Sequence, residues 1–204
     1  RLGGGDRAIG EACCKLGNVY VDQDRLDKAE EMFEEALRIF VVEDGERSKN
    51  VALLSSRLGS IYVRQWRLDD ALRMYKRALR VCRRVCGDES REVATALGNV
   101  GLVLFNQGQI EASMAKYEDA HAMYVLLHGE DHEDVARVLV NMAAVLDAQG
   151  KGSEAVAMQE KALDIKRRTL GTDCGAVAES LLNLGGTYID QGMLGEALAR
   201  LEEG

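Results

Sequence analysis

The chain contains no proline, few aromatic residues and no long hydrophobic run. Without proline, the breaks between helices must fall to its 21 glycines, because glycine is the usual residue just past a helix end. Alanine, leucine, glutamate and arginine dominate the composition, and these residues lose little conformational freedom in a helix. The sequence therefore predicts an all-α fold.

The missing features also narrow the environment of the protein. There is no apolar run of about 18 residues and no basic-then-apolar segment at the N-terminus, so we expect no membrane insertion and no targeting peptide. The cysteines are odd in number and lack framework spacing, which is typical of reduced thiols inside cells. They are Cys13, Cys14, Cys82, Cys86 and Cys174. The predicted location is intracellular, in the cytoplasm.

Acidic residues outnumber basic ones, 34 against 26, and the formal net charge is -8. This balance argues against a nucleic acid or an anionic membrane as the partner of the whole surface. An RNA-binding helical array is further disfavoured because exposed aromatic side chains for base stacking are lacking. We therefore expect a protein partner rather than a nucleic acid.

The sequence repeats itself every 42 residues without insertion. One column of the repeat holds glycine and a second holds glutamine, at each of five successive positions. The glycines are Gly3, Gly45, Gly87, Gly129 and Gly171, and the glutamines are Gln23, Gln65, Gln107, Gln149 and Gln191. One structural unit thus recurs along the whole chain.

Each repeat contains two amphipathic stretches that are separated by a short polar segment near the glutamine, as expected for a helical hairpin. Ser48 and Ser90 stand where they could cap the helix that follows the glycine. The predicted boundaries are a leading segment 1–5, from the tail of a preceding repeat, then repeats 6–45, 46–87, 88–129, 130–171 and an incomplete repeat 172–204. Because both ends fall inside repeats, we expect a segment of a longer array.

Small and large apolar residues recur at fixed places in these hairpins, as in Leu16-Gly17, Tyr20, Ala29, Phe33 and Ala36. This spacing resembles the tetratricopeptide repeat. The 42-residue period and the loop sequence GEDHEDVA at 129–136 resemble the kinesin light chain branch of that family. The resemblance implies a right-handed α-solenoid that binds other proteins, because each hairpin buries its faces only against its neighbours.

In the family that the chain resembles, the first helix of each hairpin lines a concave groove. The outward stripe of these helices is rich in asparagine and, in the middle repeats, in arginine, which can pair with a peptide backbone and with carboxylates. We therefore predict that the groove binds an extended, acidic partner segment; the alternative is that these are ordinary solvated positions. The predicted groove residues are Lys15, Asn18, Arg57, Arg64, Asn99, Asn106, Arg137, Asn141 and Asn183.

A second electrostatic feature is a strongly basic stretch at 57–84, which follows an acidic stretch at 22–46. The basic stretch could dock an acidic surface. The favoured interpretation is that the two stretches neutralise each other, since second helices of consecutive repeats lie side by side and exposed pairs contribute little. The predicted basic outer patch comprises Arg73, Lys76, Arg77, Arg80, Arg83 and Arg84.

No set of residues indicates catalysis, a cofactor or a small-molecule ligand. Cys82 and Cys86 share one helical face, but a structural zinc site needs two further ligands, and the histidines at 121, 128 and 132 lie about one repeat away. We therefore predict no metal, and we expect His132 to be a helix cap or a surface residue.

These observations predict a non-catalytic scaffold for protein–protein interaction. Two alternatives stay open: a structural subunit of a large assembly, held through its ends and outer helices, and a cargo adaptor similar to a kinesin light chain.

Overall fold

The computed structural model describes residues 4–172 and 174–203, and these residues form ten α-helices. From α2 to α9, helices of 19 and 16 residues alternate, so each repeat contributes one shorter and one longer helix. The helices are α1 (Gly4–Asp22), α2 (Leu26–Asp44), α3 (Lys49–Arg64), α4 (Leu68–Cys86), α5 (Arg91–Asn106), α6 (Ile110–His128), α7 (Glu133–Ala148), α8 (Gly152–Leu170), α9 (Gly175–Asp190) and α10 (Leu194–Glu203).

The chain divides into two compact units, residues 1–107 and 108–204. In the first unit, each helix from α1 to α4 packs against the helix that follows it, and in the second unit each helix from α6 to α9 does the same. The all-α prediction is therefore confirmed. Residues 1–3 of the predicted leading segment lie outside the described residues, and α1 begins at Gly4. The predicted repeat boundaries stay a prediction.

Close packing within a hairpin depends on a glycine that faces an aromatic ring. A Cβ atom added to Gly17 would lie 2.6 Å from the ring of Phe33, and one added to Gly59 would lie 2.8 Å from the ring of Tyr75. Both rings are buried. The tetratricopeptide-type spacing therefore places a ring directly against backbone, as expected of interiors that are packed without voids.

The loops between hairpins contain the predicted glycines at helix ends and the predicted serine caps. Gly45, Gly87, Gly129 and Gly171 follow the second helices with φ between 81° and 85°, in the left-handed region where only glycine is unstrained. Side-chain caps begin the next helices: Ser48 Oγ accepts a hydrogen bond from the Val51 N–H at 3.3 Å, and Ser90 Oγ accepts one from the Val93 N–H at 3.4 Å. The predicted serine caps are confirmed.

The glutamine column links one hairpin to the preceding one. Gln65 Nε2, at the end of α3, donates to the carboxylates of Asp27 and Glu30 in the first turns of α2, at 3.0 and 3.2 Å. Gln107 Nε2, at the end of α5, donates to Asp69 in the first turn of α4 at 2.8 Å. In the first unit the recurring glutamine therefore ties each hairpin to the acidic start of the preceding second helix.

Tyr117 in α6 is buried, and burial raises the pKa of its hydroxyl to about 12. An unfolded tyrosine has a pKa of about 10. The native state therefore keeps this proton at a pH where the unfolded state has lost it. The contribution to stability is complete below about pH 10 and is lost as the pH rises through about 12.

Tyr117→Phe should therefore flatten the fall in the free energy of unfolding between about pH 10 and about pH 12. The change should be small at neutral pH, because the ring and its packing are retained. Urea denaturation at a series of pH values measures the effect, with Tyr20→Phe at a half-exposed position as the control. Equal pH slopes in the parent and in Tyr117→Phe would contradict the assignment.

Candidate partner-binding surfaces

Arg57 is a predicted groove cation that a hydrogen bond and an aromatic ring hold in place. Its Nη1 donates to Asn18 Oδ1 at 2.6 Å, and its guanidinium lies 5.7 Å from the centroid of the buried Phe33 ring. Among the described residues, no carboxylate forms an ion pair with it. Helix α3 therefore presents an oriented guanidinium that is joined to an amide and is not neutralised.

Arg64, the next predicted groove residue along α3, differs from Arg57 because it forms an ion pair. Its Nη2 lies 2.5 Å from Asp24 Oδ1, in an ion pair whose side chains are 41% and 80% exposed. A pair this exposed contributes at most about 1 kcal/mol. The charge of Arg64 is nevertheless balanced by Asp24. Arg57 and Arg64 are therefore not equivalent, although the sequence pattern predicts the same role for both.

A cavity of about 410 Å³ lies in the first unit, between α3, the end of α4 and α5. Apolar and small side chains line most of it, including Leu53, Cys82 and Val85. Asn99 is one of its polar lining groups, which places this predicted groove residue next to an apolar recess. Lys49 and Arg91 also line the cavity, together with a single acid, Glu92.

The two cysteines at this cavity contribute small side chains to its lining. Burial raises the pKa of Cys82 to about 11. Because the thiolate is the form that binds metal and attacks electrophiles, a thiol that stays protonated at neutral pH behaves as a small apolar group. Cys86 is half-buried beside the same cavity.

The remaining predicted groove residues differ in their exposure and in their side-chain contacts. In the first unit, Lys15 is exposed and Asn106 is half-buried. In the second unit, Asn141 is half-buried and Asn183 is exposed. Arg137 points back onto its own corner of the fold, because Nη2 donates to Asp134 Oδ1 at 2.8 Å and to Tyr124 Oη at 3.0 Å. One groove that contains all nine residues stays a prediction.

The acidic and basic stretches meet at three ion pairs in the first unit: Arg64 with Asp24, Arg67 with Glu30 and Arg77 with Glu46. Only Arg77 of these belongs to the predicted basic outer patch, and it bonds both carboxylate oxygens of Glu46. The expected mutual neutralisation is therefore local.

The other members of the patch pair with acids close to them in sequence or have no ion pair among the described residues. Arg73 pairs with Asp70 on the same helix, and Arg83 lies 3.7 Å from Asp88. Lys76, Arg80 and Arg84 form no ion pair among the described residues. Arg80 and Arg84 line a depression of about 280 Å³ together with Arg47, Arg77 and Glu46, so this surface keeps a positive charge.

A histidine cluster lies at the corner between α6 and α7, and the sequence did not predict it. The rings of His128 and His132 stack with centroids 4.2 Å apart, and the buried carboxylate of Asp134 lies beside them. His132 Nδ1 accepts a hydrogen bond from the Asp134 N–H at 3.1 Å, so the expected capping role is confirmed. The His-x-x-x-His-x-Asp spacing across the loop was the available signal.

In the described part of the chain, no helix is both long and apolar enough to cross a bilayer.

The helical hairpins, with a glycine packed against an aromatic ring in two of them, define a helical repeat protein. A comparison of sequences identifies the repeat. A family profile described as "Tetratricopeptide repeat" matches residues 8–84, 50–125, 92–168 and 134–204. The chain therefore belongs to the tetratricopeptide repeat family. No curated protein sequence matches it.

Solved structures show the same fold. The BtubC (BKLC) protein from P. vanneervenii superposes with a TM-score of 0.79 at 24% identity, covering 97% of this chain and 78% of that one. A putative kinesin light chain with nearly identical TPR-like repeats from Podosopora anserina gives a TM-score of 0.77 at 17% identity over 95% and 92% of the two chains. The apo form of RapI gives 0.78 at 14% identity over 94% and 67%. At these identities the likeness is one of fold.

Proposed function

We propose that this protein is a non-catalytic scaffold whose first helices bind an extended, acidic segment of a partner protein. Tetratricopeptide repeats in general support a role in protein interaction. The observation that carries the finer proposal is Arg57, an oriented cation with no carboxylate partner among the described residues. A carboxylate from a bound segment would complete it with a charge-assisted hydrogen bond.

The surroundings of Arg57 support a segment with mixed character. Leu53, one helical turn before Arg57 on α3, lines a largely apolar cavity, so an apolar side chain of the segment fits there. Asn99 at the same cavity can donate to and accept from a peptide backbone through its amide. Lys49, Arg91 and Glu92 place charged groups at the same cavity.

A peptide selection tests this proposal. A randomised peptide library displayed on phage is selected on the parent chain, and the affinities of enriched peptides are measured by fluorescence polarisation. We expect acidic peptides, and we expect Arg57→Glu to weaken them by at least about tenfold, since a factor of ten is only 1.4 kcal/mol and reversing a contacting charge costs more. Helical circular dichroism should be unchanged.

Arg83→Glu is the matched control, because it makes the same charge change at an exposed position of the basic outer patch. If the peptides bind Arg57→Glu with the same affinity as they bind the parent, the groove proposal is wrong. Peptides that lose affinity only in Arg83→Glu would transfer binding to the basic outer patch.

A second candidate function is a structural subunit that is held through its last helices. The observation that favours it is a set of exposed apolar side chains on α9 and α10, where a soluble surface would carry polar groups. Leu182, Leu194 and Leu198 are 57%, 67% and 58% exposed. Crosslinks concentrated on α9 and α10, with the first-helix surface free, would favour this candidate.

A third candidate is a cargo adaptor. It is supported by the fold similarity to a putative kinesin light chain and by the 42-residue period of this chain, which resembles that branch of the family.

A further inference from the structure

The corner between α6 and α7 brings together two imidazoles and a carboxylate. One nitrogen from each of His128 and His132 and one oxygen from Asp134 all lie within 4.8 Å of one another. We propose that these three side chains bind a divalent transition-metal ion, with Zn²⁺ as the probe. None of the three belongs to the predicted groove residues.

The distances are close to those that a metal needs. Zinc holds imidazole nitrogen and carboxylate oxygen at about 2.0–2.2 Å, so the three donors must approach one another by side-chain rotations of roughly an ångström. His128 can provide this movement because it is exposed, whereas Asp134 is only 5% exposed and stays in place. Three protein ligands leave a fourth tetrahedral position for water.

The carboxylate is already oriented toward the histidines. Arg137 Nη2 donates to Asp134 Oδ1 at 2.8 Å and also to Tyr124 Oη at 3.0 Å, and Asp134 Oδ2 lies 3.7 Å from His132 Nδ1. Partners behind a ligand set its orientation, and their loss commonly weakens a metal site. One oxygen is thus held from behind while the other faces the ring of His132.

The charge around the corner favours a cation. Residues 128–134 read HGEDHED, with four carboxylates and no lysine or arginine. Lys161 and Arg168 reach two of these acids from α8, at 3.3 Å to Glu130 and 2.6 Å to Asp131. Asp134 pairs with Arg137, and Glu133 forms no ion pair among the described residues, so one acid of the corner keeps its charge unbalanced. Imidazole with carboxylate is a ligand set that suits zinc, copper, nickel and iron rather than calcium or magnesium.

Isothermal titration of the 204-residue chain with ZnCl₂ tests the proposal. We expect one site, and we expect His128→Ala to weaken it by more than about tenfold, the loss typical of even an outer partner. Added zinc should raise the melting temperature of the parent but not of His128→Ala, since a ligand stabilises only the state that it binds. His121→Ala, on the same helix, is the matched control and should behave as the parent does.

Cobalt distinguishes this site from the cysteines. Co²⁺ bound by histidine and carboxylate shows visible bands without the near-ultraviolet charge-transfer band of a thiolate ligand. That spectrum, lost in His128→Ala and kept in His121→Ala, would support the site. The proposal is overturned if zinc produces no binding heat, if His128→Ala binds with parental affinity while its circular dichroism is native, or if the thiolate band dominates.

Discussion

Replacing Phe33 with alanine is expected to lower the free energy of unfolding by about 3–5 kcal/mol. The ring is 1% exposed and lies directly against the backbone of Gly17, so the substitution leaves a cavity that neither helix can fill without moving. It also removes the ring over which the Arg57 guanidinium lies. A loss of this size is a large part of the 5–15 kcal/mol that is typical of a folded domain.

Urea denaturation measures the loss, and hydrogen exchange locates it. Because stability in repeat proteins is mainly a sum of local and nearest-neighbour contributions, the amides of α1 and α2 should lose most protection. Val42→Ala is the control on the same helix, since Val42 is 59% exposed and its truncation should change stability by no more than about 0.5 kcal/mol. If Phe33→Ala and Val42→Ala unfold at the same urea concentration, the packing assigned to Phe33 is wrong.

Gly59→Ala and Gly98→Ala are expected to change stability in opposite directions. Both substitutions replace glycine within a first helix, and alanine is favoured there by about 0.5–1 kcal/mol. At Gly98 the new methyl group meets nothing within 4 Å, so the gain should be realised. At Gly59 it would lie 2.8 Å from the buried ring of Tyr75, and overpacking of this kind costs about 1–3 kcal/mol.

The difference between the two variants isolates the helix-to-ring contact, since their propensity gains cancel. Thermal and urea denaturation should place Gly98→Ala above the parent and Gly59→Ala below it. The same order with Gly17→Ala, which faces Phe33 at 2.6 Å, would show that the contact recurs between repeats. Stabilisation by Gly59→Ala would contradict close packing at this position.

Much of the fold followed from spacing alone. The glycine column located the ends of the second helices and the serines located two caps, because these functions depend on one residue and its immediate neighbours. Histidine at 132 was expected as a cap for the same reason, and it accepts the predicted type of hydrogen bond. The use of the glutamine column was not foreseen, since its partners lie in the preceding repeat.

The candidate site was less predictable because side-chain pairing depends on distances between repeats. Arg57, Arg64 and Arg137 occupy the same stripe in the sequence, yet one bonds an amide, one an exposed carboxylate and one a buried carboxylate. The net charges of the two stretches suggested broad neutralisation, but the stretches form three ion pairs, Arg64 with Asp24, Arg67 with Glu30 and Arg77 with Glu46. Charge counts carry no information on which atoms are within about 4 Å.

The sequence by itself determined the repeat, the all-α class and the family, because 3.6-residue periodicity and a strict 42-residue register need no tertiary information. Only the tertiary structure decided which cations keep a free charge, where an apolar cavity opens beside Asn99, and that His128 and His132 meet Asp134 at one corner. The physical reason is that the register depends only on spacing along the chain, whereas the pairing of long side chains depends on the distances that helix packing sets between them.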